Sequence, residues 1–126
     1  MVRSFMREML ARDIMTPIEP KPAEAGEAAF NRAASATLAH IEQALEAADL
    51  DFETPADGII EIEFDDGGKI IINRHGVARE IWVAARSGGF HFRPLDGGWV
   101  DTKDGTPLFA KLTALVAEQG GGAIAL

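Results

Sequence analysis

Glu42, Glu46 and Asp49 recur at i, i+4 and i+7, so on a helix three carboxylates would share one stripe. Asp51, Glu53, Asp57, Glu61, Glu63 and Asp65 carry the same charge onward along the chain. From residue 42 to residue 66 there are ten acids and no Lys or Arg. Carboxylate oxygens are donors for hard cations. The same field attracts a basic protein surface, and the two uses would compete. No EF-hand loop and no His-x-x-x-His helix is present, so the pattern describes an open surface with weak, exchangeable sites rather than a closed cage. The arrangement is locally unfavourable. Like charges at i, i+4 destabilise a helix by about 0.2–0.5 kcal/mol per pair, and acids in the last turns oppose the macrodipole. The bland alternative is a solvated helix face that keeps the chain soluble. Interspersed lysines would do that at lower cost, but spacing alone leaves both readings open.

Other chemistries find little support. The 126 residues contain no cysteine, which removes disulfides, thiolate nucleophiles and thiolate-held clusters. Ser4, Ser35 and Ser87 lie in no nucleophile elbow, and the glycine pairs follow hairpin logic rather than that of a phosphate loop. Paired carboxylates can do acid–base work, but exposed acids in a negative field define no substrate pocket, so no catalytic residue is expected. The net charge of −8 argues against nucleic acid. No run of 18 apolar residues is present, which argues against a membrane span.

The elements that must position these side chains follow from periodicity. Residues 1–22 read as an extension that is poorly ordered or not the native start, with Pro17, Pro20 and Pro22 breaking any helix begun by Phe5, Met6, Met9 and Leu10. Arg3, Arg7 and Arg12 suit a transit peptide, but Glu8 and Asp13 do not. Residues 23–126 form the domain. Phe30, Ala34, Leu38, Ile41 and Leu45 predict one long helix over residues 23–48. Residues 50–57 read as a connection.

Strands are predicted over residues 59–64, 69–73, 80–85, 90–93 and 99–101, separated by Asp-Gly and Gly-Gly turns. Ile60, Ile62, Ile70, Ile72, Ile81 and Val83 share one face of this meander. Thr106 and Pro107 are expected to cap and open a second helix with a stripe of Leu108, Leu112, Leu115 and Val116. The predicted fold class is α+β, a two-layer sandwich with the N- and C-terminal helices on one face of an antiparallel sheet. Strand parity sends Asn73, Trp82 and His91 to the other face. Trp is enriched at binding hot spots, although an aromatic covering a sheet surface is also ordinary. His40 and His75 read as a surface helical residue and a turn residue.

The stretch IINRHGVAREIWVAARSGGFHF over residues 71–92 resembles the signature of the frataxin family. Its elements stand as Ile72-Asn73-Arg74, Ile81-Trp82-Val83-Ala84 and Gly88-Gly89-Phe90-His91-Phe92, and the order of acidic helix, meander and second helix also matches. The resemblance covers roughly residues 27–126 and is nearest to the bacterial members. His75 and Glu80 stand where the family usually has Gln, Val77 where it has Pro, and Gln43 where the acidic ridge tends to have a second acid. The resemblance implies a cytoplasmic bacterial protein of iron–sulfur cluster assembly. It would be an iron donor, a regulator of the cysteine desulfurase–scaffold complex, or both, and would hold no cluster itself. It implies weak ferrous and ferric iron binding on an open carboxylate surface at Glu42, Glu46, Asp49, Asp51, Glu53 and Asp65. It implies contact with the desulfurase and the scaffold through Asn73, Trp82 and His91. A monomer with iron-dependent oligomers is expected. The alternatives are an acidic protein-binding regulator with incidental iron, or a weak ferroxidase.

Overall fold

The computed structural model describes residues 22–126, with side chains from residue 26 onward. The extension expected at residues 1–22 lies, apart from its last residue, outside the described residues. Helix α1 spans Pro22–Ala47. Its predicted stripe is the buried one: Phe30, Ala34, Leu38, Ile41 and Leu45 are each 5% exposed or less. Six strands follow: β1 (Asp51–Glu53), β2 (Ile59–Glu63), β3 (Lys69–His75), β4 (Glu80–Ala85), β5 (Gly88–Leu95) and β6 (Gly98–Asp101). Helix α2 spans Leu108–Glu118. The sheet runs in chain order from β1 to β6, and every neighbouring pair is antiparallel.

Register explains the layers. Ile60 pairs with Ile72 and Ile62 with Ile70, while Ile72 faces Val83 and Ile81 faces Phe92. All seven are buried in one cluster with the stripes of α1 and α2. Alternation therefore delivers one apolar face to both helices, as the period-two pattern requires.

Several details depart from the sequence reading. Residues 50–57 are not all connection, because Asp51–Glu53 form an edge strand on β2. Its signal is the alternation of Phe52, which packs on the core, with two exposed acids. Strand β3 runs on through His75, which is a strand residue rather than a turn residue. Strand β5 is also longer than predicted at both ends. Thr106 does not cap α2. Pro107 occupies the cap position in an extended conformation, with no side-chain cap. The cause is a bridge between Val100 and Pro107, reinforced by the Asp101 amide donating to the Thr106 carbonyl at 2.8 Å. That contact draws the segment into the sheet edge.

Two polar ties lock the layers. Trp99, 5% exposed, donates its indole N–H to Thr37 Oγ1 on α1 at 2.8 Å. Gln119 follows α2, accepting from the Arg86 amide at 2.9 Å and donating to the Lys69 carbonyl at 3.3 Å. After α2 the chain folds back, with Ile124 buried and the Leu126 carbonyl accepting from His40 Nε2 at 2.9 Å. Leu112 sits fully buried at the centre of the α2 stripe. Leu112→Ala is expected to cost about 2–5 kcal/mol in urea unfolding with an unchanged slope. Val77→Ala, at a side chain 96% exposed, is expected to move stability by less than about 0.5 kcal/mol.

Candidate functional site

The acidic residues begin where α1 ends. Glu42 and Glu46 lie in its last turns, Glu42 half-buried and Glu46 exposed. Asp49 does not continue their stripe. The helix stops at Ala47, and Asp49 takes a left-handed conformation with φ of 59°. Its amide donates to the Glu46 carbonyl and that of Leu50 to the Leu45 carbonyl, which closes the helix in the usual left-handed way. Asp tolerates that region better than most side chains. The turn then feeds directly into β1.

Strand register places four more acids. Phe52 opposes Ile62 on the inner side, so Asp51 and Glu53 point to the open face with Glu63 and Glu61. Asp51 stands directly opposite Glu63, and Glu53 directly opposite Glu61. Like charges facing one another across an antiparallel pair are destabilising. Asp65 follows β2 in the first hairpin turn and is exposed.

The chain that follows supplies bases that sort this block into two groups. Arg74 pairs with Asp57 at 2.8 Å, Lys69 with Glu61 at 2.9 Å, and Arg86 with Asp66 at 2.8 Å. Glu42, Glu46, Asp49, Asp51, Glu53, Glu63 and Asp65 have no ion-pair partner among the described residues. Six of these are the residues singled out from the sequence, and Glu63 is the addition. Lys69 registers the surviving field. Its ammonium is held above the ordinary value of 10.5, first by its hydrogen bond to Glu61 and also by the charges of Glu61, Glu63 and Glu53. No three His, Asp or Glu side chains among the described residues converge closely enough to hold a metal ion. The acids form a surface, not a cage.

The second half of the site lies on the open face that carries Asp51, Glu53, Glu61 and Glu63. Ile59, Asn73, Trp82 and His91 occupy one cross-strand row over β2 to β5. Trp82 is sandwiched: the His75 ring stacks on it at 3.7 Å between centroids and the His91 ring at 4.2 Å, both nearly parallel. The Trp82 indole N–H donates to Glu80 Oε1 at 2.7 Å, and His91 Nδ1 lies 3.8 Å from the same oxygen. Glu80 and the two imidazoles thereby fix the indole in one orientation. His75 is the member that sequence reading missed, because its strand was expected to end two residues earlier. The Glu53–Glu61 row continues through Ile71 and Ala84, next to the Trp82 row.

The chain matches the family model for a frataxin-like domain over residues 23–122. It is 56% identical over 99 residues to the iron–sulfur cluster assembly protein CyaY of Dechloromonas aromatica, covering 77% of this chain and 94% of that one. The corresponding protein of a Janthinobacterium strain is 48% identical over 101 residues, covering 75% and 90%. Among solved structures, the frataxin of Psychromonas ingrahamii aligns with a TM-score of 0.72 at 25% identity, over 78% of this chain and 94% of that one. A trimeric frataxin from Saccharomyces cerevisiae, solved in complex with ferrous iron, aligns with a TM-score of 0.62 at 29% identity, over 69% and 84%. A helical pair on one face of an antiparallel meander, with the signature tryptophan on the other, defines the class. The chain belongs to the frataxin family.

The charge pairing has a pH signature. The Gly68 amide, and next the Arg86 guanidinium, hold the Asp66 carboxyl below its ordinary value of 3.8. A carboxyl lowered in the folded state stabilises the fold above its unfolded value and loses that contribution as pH falls through the folded one. Asp66→Asn is therefore expected to be less stable than the parent near pH 7, with the gap closing as pH falls below the ordinary value of 3.8 and through the lowered folded one. Urea unfolding across that range measures it, and a gap independent of pH would remove the charge explanation.

Proposed function

We propose that this chain acts in bacterial iron–sulfur cluster assembly, holding iron as exchangeable cargo and docking on the cysteine desulfurase–scaffold complex. The observation that carries the reading is the set of seven unpaired acids at the end of α1, on β1 and β2 and in the first turn, of which Asp51, Glu53 and Glu63 share the open sheet face with the Trp82 row. Oxygen-only donors in an open array fit ferrous and ferric ions as weakly held cargo. The metal residues are Glu42, Glu46, Asp49, Asp51, Glu53 and Asp65, and the partner-contact residues are Asn73, Trp82 and His91. The chain would work in the cytoplasm as a monomer, with oligomers forming in the presence of iron. The domain begins at residue 23. No helix among the described residues is long and apolar enough to cross a membrane.

One observation favours a second reading. The acids do not converge on a point, and they border an immobilised tryptophan. Both suit a protein-binding regulator for which iron is incidental. Iron oxidation with turnover on the acids is the third reading.

Anaerobic addition of ferrous iron, followed by backbone NMR, is expected to broaden or shift signals clustered over residues 42–65. Unaffected signals there would overturn the iron role. The triple variant Glu42→Ala, Glu46→Ala, Asp49→Ala is expected to lose the parent's effect on desulfurase activity. If that effect is present without iron and still vanishes in the variant, docking is the main task. Aerobic iron oxidation faster than in buffer alone would favour the ferroxidase.

Trp82→Ala is expected to stay folded and to bind the assembly complex at least about tenfold more weakly, a loss of about 1.4 kcal/mol or more. Far-UV circular dichroism and a pull-down on the desulfurase check both halves. Global unfolding would make Trp82 a core residue instead.

A further inference from the structure

Three side chains hold the Trp82 indole, and they are not themselves held alike. Glu80 accepts the indole N–H at 2.7 Å, but it lies on the same strand and makes no other hydrogen bond through its side chain among the described residues. It follows the indole rather than fixing it. His91 stacks at 4.2 Å, yet its side chain is 49% exposed and its Nδ1 stands 3.8 Å from Glu80 Oε1, outside hydrogen-bond range. His75 stacks closer, at 3.7 Å, and is half-buried. Its Nδ1 accepts from the Ala78 amide at 3.2 Å. Among the described residues, that bond is the one tie from these three side chains to the main chain.

We propose that His75 is the positioning residue of the docking row: it sets the orientation in which Trp82 meets a partner and ties that orientation to the β3–β4 turn. This rests on the docking reading given above. Register puts the two rings within reach. His75 closes β3 directly opposite Glu80, so Trp82, two residues further along β4, is its diagonal neighbour on the same face. Aromatic side chains span that diagonal. The turn then anchors the imidazole from behind. The Arg79 amide donates to the Gly76 carbonyl at 3.3 Å, and Arg79 is left-handed with φ of 56°. The chain bends back at this point, and the Ala78 amide reaches the His75 ring.

The consequence is a matter of ordering. A side chain that must be immobilised on association subtracts from affinity, and one already held does not. With His75 in place, the indole lies between two plates and has one orientation. Without it, one face of the indole opens to water, and the ring gains freedom that docking must remove again. His75 does not need to touch the partner for this. It pairs with Glu80, one row away from the row of Ile59, Asn73, Trp82 and His91. Its effect on binding therefore passes through Trp82, which a double-mutant cycle can detect.

The full chain has two tryptophans, Trp82 and Trp99, so fluorotryptophan labelling gives two fluorine NMR signals. The one missing from Trp82→Ala belongs to Trp82. In His75→Ala that signal is expected to move toward its position in the urea-unfolded chain. The Trp99 signal, from a core ring bonded to Thr37, is expected to stay. Binding to the purified desulfurase–scaffold complex is expected to weaken about 3- to 10-fold, and by less than about twofold when His75→Ala is added to Trp82→Ala. Two further variants separate ring from bond. His75→Asn offers the Ala78 amide an acceptor but no ring, and is expected to behave as His75→Ala. His75→Phe offers a ring but no acceptor, and is expected to return part of the way to the parent in both measurements. The reverse order would make His75 a brace for the turn and overturn the proposal. Equal losses with and without Trp82 would make His75 a direct contact and overturn it too. Binding that needs Trp82 but not His75 would overturn this proposal alone, whereas binding that needs neither would overturn the docking reading with it.

Discussion

Everything on this molecule's surface depends on one constraint: a single face of the meander must be covered by both helices. Ile60, Ile62, Ile70, Ile72, Ile81, Val83 and Phe92 are at most 2% exposed, and all point the same way. With a side-chain period of two, their burial fixes the opposite fate of every neighbour. Glu61, Glu63, Asn73 and Trp82 are outward because Ile60, Ile62, Ile72 and Ile81 are inward. A one-residue slip in any pairing would bury a carboxylate or an indole and expose an isoleucine. The register that holds the core is thus also the register that assembles the candidate site. The two cannot be varied independently.

The acidic block changes meaning once it is folded. Along the chain it is ten acids without a base. In space it meets Lys69 and Arg74 from β3 and Arg86 from the turn after β4, and Asp57, Glu61 and Asp66 are paired off. What remains is a narrower field at the end of α1 and on the sheet edge. Such exposed ion pairs add little stability. Their consequence is selective, since they decide which carboxylates are left to attract a cation. The acids on β1 have a further effect. A short edge strand bearing charges resists pairing with another sheet, so the same residues that invite a cation discourage aggregation.

Legibility in the sequence followed the range of the interactions. Helix α1 ends within one residue of the expected boundary, because its stripe is a local repeat of five apolar side chains, all buried. The inner faces of β2, β3 and β4 were equally plain from alternation. The failures have non-local causes. Strand β1 has only three residues, and its pairing with β2 is what makes it a strand. Thr106 looked like a cap until the Val100–Pro107 bridge claimed the segment. Asn73, Trp82 and His91 were legible as one face, but the His75 ring on Trp82 required knowing that β3 continues to the turn. The ion pairs that thin the acidic block join residues 8, 17 and 20 positions apart, beyond any helical spacing. Composition could not reveal them.

The acids and the Trp82 row obey different physics, and this bears on how cargo and partner would share them. The acids repel one another across β1 and β2 and at the end of α1, and the core supplies the stability that holds them together. Any cation that binds relieves part of that repulsion, and so does any basic surface. If both use the same carboxylates, linkage requires that each weaken the other by the same factor. Salt would screen both. The Trp82 row is unlike this. Its indole is held by two stacked rings and one hydrogen bond, so an apolar contact made there gains from preorganisation and changes little with ionic strength. A partner gripping the row would keep its hold while iron loads or leaves the neighbouring acids. If a partner docks on the row and the acids hold a cation, the adjacency of an immobilised tryptophan to an unpaired acidic field would let docking persist through exchange of that cation.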